Sequence, residues 1–300
     1  MNIRRKLQYW GFLFEGDIMD KTKMILLACV MAFLALALIL YPLISNAYYE
    51  RHKAEIHTEY QEQLEKVDDT QLVEAWSNAK AYNEAIKPVT ENADGYSIEA
   101  LEYASQNYDV QLDVTGTGIM GYVYIPKINV KLPIYHGTAA ETLEQGIGHL
   151  LGSSLPIGGP STHSVLTAHS GMASQKMFSD LNLMEEGDIF HVEVLDEKLT
   201  YEVFTINTVL PENTELLGIV SGEDLCTLVT CTPFGVNSHR LLVCGSRIDY
   251  DEAEQLEEVI GEEVTESTWE EQYVNGLVWG IVLVIIIGVI AFLVWLLRRE

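Results

Sequence analysis

The chain has 300 residues, 48% of them hydrophobic, and a formal net charge of −26. That length allows one sizeable core plus accessory segments, and the negative balance argues against nucleic acid as a partner, because phosphate binding needs a basic face. Four cysteines (Cys29, Cys226, Cys231, Cys244) are too few for a disulfide framework. No CxxC pair or HExxH motif points to zinc, and no cofactor is expected.

Residues 1–23 form a basic tail with Arg4, Arg5, Lys6, Lys21 and Lys23. Met24–Ile44 then carries no charge and is long enough to cross a bilayer. Ser45-Asn46-Ala47 could also mimic a signal-peptidase site, so a cleaved leader is the alternative. A second apolar run, Leu277–Leu297 within a span at 276–297, is followed by Arg298-Arg299-Glu300, with Trp279 and Trp295 near its ends. Basic residues beside both runs predict two spans with both termini cytoplasmic and the intervening chain outside the cell membrane.

Residues 45–118 read as an extracellular helical segment. Tyr49, Ile56, Tyr60, Leu64 and Val67 share one helical face, and Leu72, Ala75, Trp76, Ala79, Tyr82 and Ile86 share another. Asp68-Asp69-Thr70 supplies a break and an N-cap between them, and Pro88 ends the pattern. Val89–Tyr96 is polar and turn-like, with Asp94-Gly95-Tyr96 at its tip and a short helix expected after Ser97.

From residue 119 to 248 the pattern changes to short strands. Strands are expected at Tyr122–Ile125, Asn129–Ile134, Ser164–Ala168, Asp188–Val194, Leu199–Val209, Leu225–Cys231 and Arg240–Ile248, with a short helix or turn over Glu141–Leu150. Many short strands with turn signals predict a mainly β domain, a small closed barrel or a sandwich. Residues 249–275 form an acidic linker, solvated and self-repelling.

The residues able to do chemistry cluster late. Thr227-Leu228-Val229-Thr230 ends on Cys231, and after Thr232-Pro233-Phe234-Gly235 a second β-rich run opens with Arg240. A thiol beside a fixed positive charge favours its nucleophilic form. His169 follows a strand and precedes Ser170-Gly171, as a general acid/base projecting from a strand end would. Arg240 could hold a substrate carbonyl and stabilise an oxyanion. Together the three describe acyl transfer through a thioester. Each alone is more usually a core cysteine, a surface or satisfied core histidine and a solvated arginine.

Thr227–Cys231 followed by Arg240 resembles the TLxTC…R signature of sortases, and Leu166-Thr167-Ala168-His169-Ser170-Gly171 resembles that family's strand-end histidine. The resemblance covers roughly residues 121–247. It implies an eight-stranded sortase-type β-barrel in a membrane-bound cysteine transpeptidase of Gram-positive surfaces. Cys231 would be the nucleophile, His169 the acid/base and Arg240 the substrate and oxyanion stabiliser. An LPxTG-like sorting signal would be cut after Thr and its acyl group passed to an amine.

Two spans and a helical N-terminal segment look like class C, the pilin-polymerising sortases of pilus assembly, whose acceptor is a lysine amine on a pilin subunit. Many of that class carry an Asp-Pro-aromatic lid. The sequence at 94–97 has Gly95 in place of the proline, so Asp94 and Tyr96 form a candidate lid facing Arg240 and Cys231, with an ordinary exposed loop as the alternative. Other readings are a sortase anchoring surface proteins to a cell-wall precursor, a hydrolytic cysteine peptidase, and a non-catalytic membrane-tethered scaffold. Thr230 is a supporting residue. If Cys231 and Arg240 share a sheet face, Cys244 lies on it and Cys226 opposite, which disfavours a bridge between them. His136, His149, His163, His191 and His239 show no metal-ligand spacing.

Overall fold

The computed structural model describes residues 21–90, 102, 106, 108–172, 175–249 and 273–281. Helix α1, Lys21–Leu64, is a single 44-residue element. Its first half is apolar and exposed among the described residues, with Phe33 and Leu38 among the most open side chains, and it is long and apolar enough to cross a membrane. The sequence separates a span at Met24–Ile44 from the helical segment that follows, and the two form one continuous helix. Ser45-Asn46-Ala47 is compatible with a helix, and Pro42 forfeits only one backbone donor.

The second half of α1 docks on the barrel. Asn46, Lys53 and Tyr60 are buried, and Ile56 and Leu64 pack beside Tyr60, as the helical spacing predicts. Tyr60 and His57 both meet the Tyr122 ring, at 5.3 and 4.7 Å between centroids. Desolvation pushes the Tyr60 hydroxyl up to about 12. Lys53 is held by Glu50 at 2.9 Å and lies over the Tyr49 ring.

Helix α2, Asp69–Thr90, starts on a reciprocal cap. The Gln71 N–H donates to Asp68 Oδ1 (3.0 Å), and the Asp68 N–H donates back to Gln71 Oε1 (3.3 Å). Its predicted face is buried: Ala79, Tyr82 and Ile86 enter the main core. Asn83 on the same face exchanges two hydrogen bonds with the Leu155 backbone, at 2.7 and 3.2 Å. The helix runs two residues beyond Pro88, because a proline this near the end costs one bond in a turn that is already finishing.

Eight strands close into a barrel in the order β1-β2-β3-β4-β7-β8-β6-β5. They are β1 Ile119–Ile125, β2 Val130–His136, β3 Ile147–His149, β4 Thr162–Thr167, β5 Ile189–Val194, β6 Glu197–Val209, β7 Asp224–Thr232 and β8 His239–Ile248. The pairs β2–β3 and β4–β7 are parallel and the rest antiparallel. A six-residue helix, α3 (Ala140–Gln145), makes the crossover between β2 and β3. Seven of the strands follow the sequence pattern. The eighth, β3, falls inside the stretch read as a helix or turn, since three residues are too few to show a period.

Inward-facing side chains such as Val123, Leu132, Leu166, Phe190, Tyr201, Leu228 and Val243 fill the barrel and merge with the buried face of α2. The second apolar run predicted at 276–297 is described only as far as residue 281, where 273–281 is helical. Its remainder lies outside the described residues, as do Asp94 and Tyr96 of the candidate lid and the acidic linker beyond residue 249.

Candidate active site

Strand β7 alternates between two environments. Cys226, Leu228 and Thr230 point into the barrel, and Thr227, Val229 and Cys231 point outward, where Val229 joins Val165, Leu217, Leu242 and Cys244 in a second apolar cluster. In the antiparallel register with β8, Cys231 pairs with Arg240. In the parallel register with β4, Val165 pairs with Thr227 and Thr167 with Val229. Carried two residues further, that register sets His169 level with Cys231.

His169, Cys231 and Arg240 thus form one row across three neighbouring chain segments, on one face by alternation, with strands about 4.8 Å apart. All three are half-buried. The row is local in space although 71 residues separate its ends.

Backbone and side-chain hydrogen bonds hold His169 in line after β4 has ended. The Ala168 N–H donates to the Val229 carbonyl (3.1 Å), and the Thr230 hydroxyl donates back to the Ala168 carbonyl (2.8 Å). The Ser170 hydroxyl donates to the Cys231 carbonyl (2.6 Å), and the Phe178 N–H to the His169 carbonyl (3.0 Å). Thr230 is buried, so its bond is shielded from water. The sequence offers Thr230 as a supporting residue and does not single out Ser170, whose bond depends on the β4–β7 pairing.

Arg240 reaches back into the β7–β8 connection, where Nη1 donates to the carbonyls of His239 (3.1 Å) and Asn237 (3.4 Å). A substrate carbonyl or oxyanion would compete for the same donor. A cavity of about 530 Å³ opens beside Cys231, between Phe178, Asp180 and Leu183 on one side and Pro233, Phe234 and Leu241 on the other. His169 and Arg240 do not line it; they flank Cys231 on the outer face.

The connection between β6 and β7 roofs that outer face. Leu217 seats on the second apolar cluster, and His163 ties the connection down. Its Nδ1–H donates to the Gly218 carbonyl (2.8 Å), and Nε2 accepts from the Thr227 hydroxyl (2.7 Å). Burial pushes His163 down from its ordinary value, which keeps the ring neutral for that double role.

The four cysteines are thiols in different settings. Cys226 faces the core and Cys244 the outer cluster, on opposite sides of the sheet. Burial pushes both up, far enough at Cys226 to make a thiolate costly. Cys29 sits in the apolar half of α1. Cys231 alone is partly open and next to a cationic side chain, the setting a nucleophilic cysteine needs. Among the described residues no group of three or more His, Cys, Asp or Glu side chains is placed to hold a metal ion.

Residues 123–248 match the sortase-domain family. The chain is 44% identical to sortase C1 from Streptococcus agalactiae, with a TM-score of 0.58 over 65% of this chain and 98% of that one. It is 42% identical to a Streptococcus pneumoniae sortase C, with a TM-score of 0.57 over 65% and 97% of the two chains. Among curated relatives it is 30% identical over 131 residues to sortase D of Bacillus subtilis, covering 43% of this chain and 63% of that protein. It is also 28% identical over 117 residues to sortase A of Streptococcus agalactiae, covering 38% and 47%. The matched stretch is therefore less than two thirds of either curated relative. On the fold, the site motifs and the near-complete coverage of the streptococcal structures, the chain belongs to the sortase family and groups with its class C members.

Proposed function

We propose that this protein is a membrane-anchored cysteine transpeptidase that joins pilin subunits. The observation that carries the proposal is the single row of His169, Cys231 and Arg240. The Cys231 thiolate attacks the Thr carbonyl of an LPxTG-like sorting signal, and Arg240 donates to the oxyanion that forms. The bond to the following Gly nitrogen breaks as His169 gives that nitrogen a proton, leaving a thioester on Cys231. A lysine amine of a second pilin then attacks the thioester carbon, loses its proton to His169, and frees the thiolate. Atoms and charge balance without a cofactor.

Class C chemistry is supported by the 40–44% identity to sortase C1 structures, one described as belonging to a pilus island and a related sortase C described as pilus-related. The test is incubation of the detergent-solubilised chain with a pilin bearing a C-terminal sorting signal. Covalent ladders on a denaturing gel that vanish with Cys231→Ala are expected. Cleavage without ladders, in the presence of lysine-bearing acceptor pilin, would replace this reading with transfer to a cell-wall precursor or hydrolysis.

Asp94 and Tyr96 are proposed to cover the site, Asp94 facing Arg240 and Tyr96 facing Cys231. One of the solved relatives is described as a lid-mutant of sortase C1. Gly95 leaves this segment freer than a proline would. Asp94→Ala with Tyr96→Ala is expected to speed maleimide labelling of Cys231 about tenfold, the equivalent of roughly 1.4 kcal/mol of lid closure. An unchanged rate would discard the lid.

A further inference from the structure

The connection between β7 and β8 carries two large apolar side chains that are mostly exposed among the described residues, Phe234 (64% exposed) and Val236 (69% exposed). No charged residue lies between Cys231 and Arg240, in a chain whose net charge is −26. A mainly apolar, uncharged tip on so acidic a protein is an unusual surface for contact with water alone.

Its place relative to α1 supplies the partner. Phe178, Ser179, Asp180, Asn182 and Leu183 wall the catalytic cavity, and the two residues just before Phe178 grip α1 where its apolar run ends. The Lys176 N–H donates to Asn46 Oδ1 (2.8 Å), and the Tyr49 hydroxyl donates to Met177 Sδ (3.5 Å). The barrel end that carries Cys231 is thus the end beside the span.

A second contact, made by a different segment, agrees. Tyr273 lines the same cavity as Phe234, and its hydroxyl donates to the Ile39 carbonyl (2.7 Å). Ile39 lies seven residues before Asn46, about 10 Å further into the apolar half of α1 at 1.5 Å per residue. The cavity mouth therefore stands at the level where the exposed apolar side chains of α1 give way to polar ones.

We propose that Phe234 and Val236 insert into the interfacial layer of the bilayer that α1 crosses, so that the catalytic cavity opens at the membrane surface. This rests on the reading of α1 as a membrane span. Apolar and aromatic side chains partition into that layer, whereas an acidic surface is excluded from an anionic one. The opposite end of β7 provides a control. Val220 is exposed close to Asp224, and the seven steps from Asp224 to Cys231 carry the strand about 23 Å at 3.3 Å per residue.

The test uses the full chain in lipid nanodiscs, with tryptophan emission as the readout. Phe234→Trp, Val236→Trp and Val220→Trp are each compared with the parent, whose five tryptophans give the background. Discs are made with ordinary lipids or with lipids brominated high on the acyl chains, which quench only tryptophans in contact with them. The added emission at 234 and 236 is expected to fall by about half in brominated discs, and that at 220 to be unchanged. If the chain enters the discs and neither 234 nor 236 is quenched, the interfacial tip is refuted while the span stands. If the chain does not enter the discs, the span fails and the inference fails with it. Equal quenching at 220 would also overturn it, since the barrel would then lie flat on the bilayer.

Discussion

Thr230 and Ser170 grip the chain on either side of His169 and fasten it to the strand that carries Cys231. Each contributes one neutral hydrogen bond, about 1 kcal/mol, and neither needs to touch substrate to matter. The double variant Ser170→Ala with Thr230→Val is expected to fold and to lose about tenfold in kcat/KM for a sorting peptide, equivalent to roughly 1.4 kcal/mol. Its distinguishing sign is a shift of the pH–rate limb due to the acid/base, which a purely structural loss would leave in place. An unshifted profile with reduced kcat/KM would assign the pair to stability alone. At this scale the sequence singles out the candidate groups, because a thiol, an imidazole and a guanidinium announce their chemistry. It did not show Ser170, since one hydroxyl among many carries no signal until the partner carbonyl of Cys231 is known to lie beside it.

The elements were readable where a period had room to repeat. The two amphipathic faces of α1 and α2 and seven of the strands are written in residue spacing, but the three-residue β3 is held by pairing with β2 and β4 and leaves no trace in it. The proline rule was too strict at Pro88. Barrel closure itself depends on close approaches that the pattern hides. Gly245 on β8 pairs with Cys226 and Val203, and its missing side chain leaves room for the stacked rings of Phe190 and Tyr201. A Cβ there would come within 2.6 and 2.8 Å of Phe190 ring atoms and 2.9 Å of Tyr201 Cβ. Both rings are buried, so they cannot swing away. Gly245→Ala is therefore expected to destabilise the barrel by about 1–3 kcal/mol, the usual cost of overpacking a filled core, seen as a lower midpoint in urea. An unchanged midpoint would mean that β8 shifts freely against β6, contrary to a closed barrel.

Across the whole molecule, the segment entering the barrel, the end of β2, the loop after β3 and the start of β4 meet at His149, which has no exposed surface. Its Nε2–H donates to the Ser154 carbonyl (2.8 Å), which leaves Nδ1 to accept from the Tyr108 hydroxyl (2.8 Å). The Gly137 N–H donates to that same Tyr108 oxygen (2.9 Å), and the Ser153 hydroxyl oxygen beside the ring accepts from the Val165 N–H (3.2 Å). The sequence marked His149 only as lacking a metal pattern, because a junction of four distant segments has no local signature. Burial holds its pKa down, from an ordinary 6.5 to about 4. The folded chain therefore binds fewer protons here than the unfolded chain, so this contribution is complete above pH 6.5 and is lost as pH falls from 6.5 towards 4. The shift corresponds to roughly 3 kcal/mol at most. His163, also pushed down by burial, has the same sign. Asp224 runs the other way: burial raises it above its ordinary 3.8, so acidification towards that value favours the folded state. Protonation of surface carboxylates also relieves the self-repulsion of a −26 chain. The total profile thus mixes signs, and the informative quantity is a difference. His149→Gln retains an amide donor for the Ser154 carbonyl but has nothing to protonate. Urea unfolding of the detergent-solubilised wild type and variant should give a stability gap that is widest near pH 7 and narrows by up to about 3 kcal/mol by pH 4. A gap that stays constant across that range would show that His149 takes up its proton as readily in the barrel as in the unfolded chain, and that the junction it occupies is open to water.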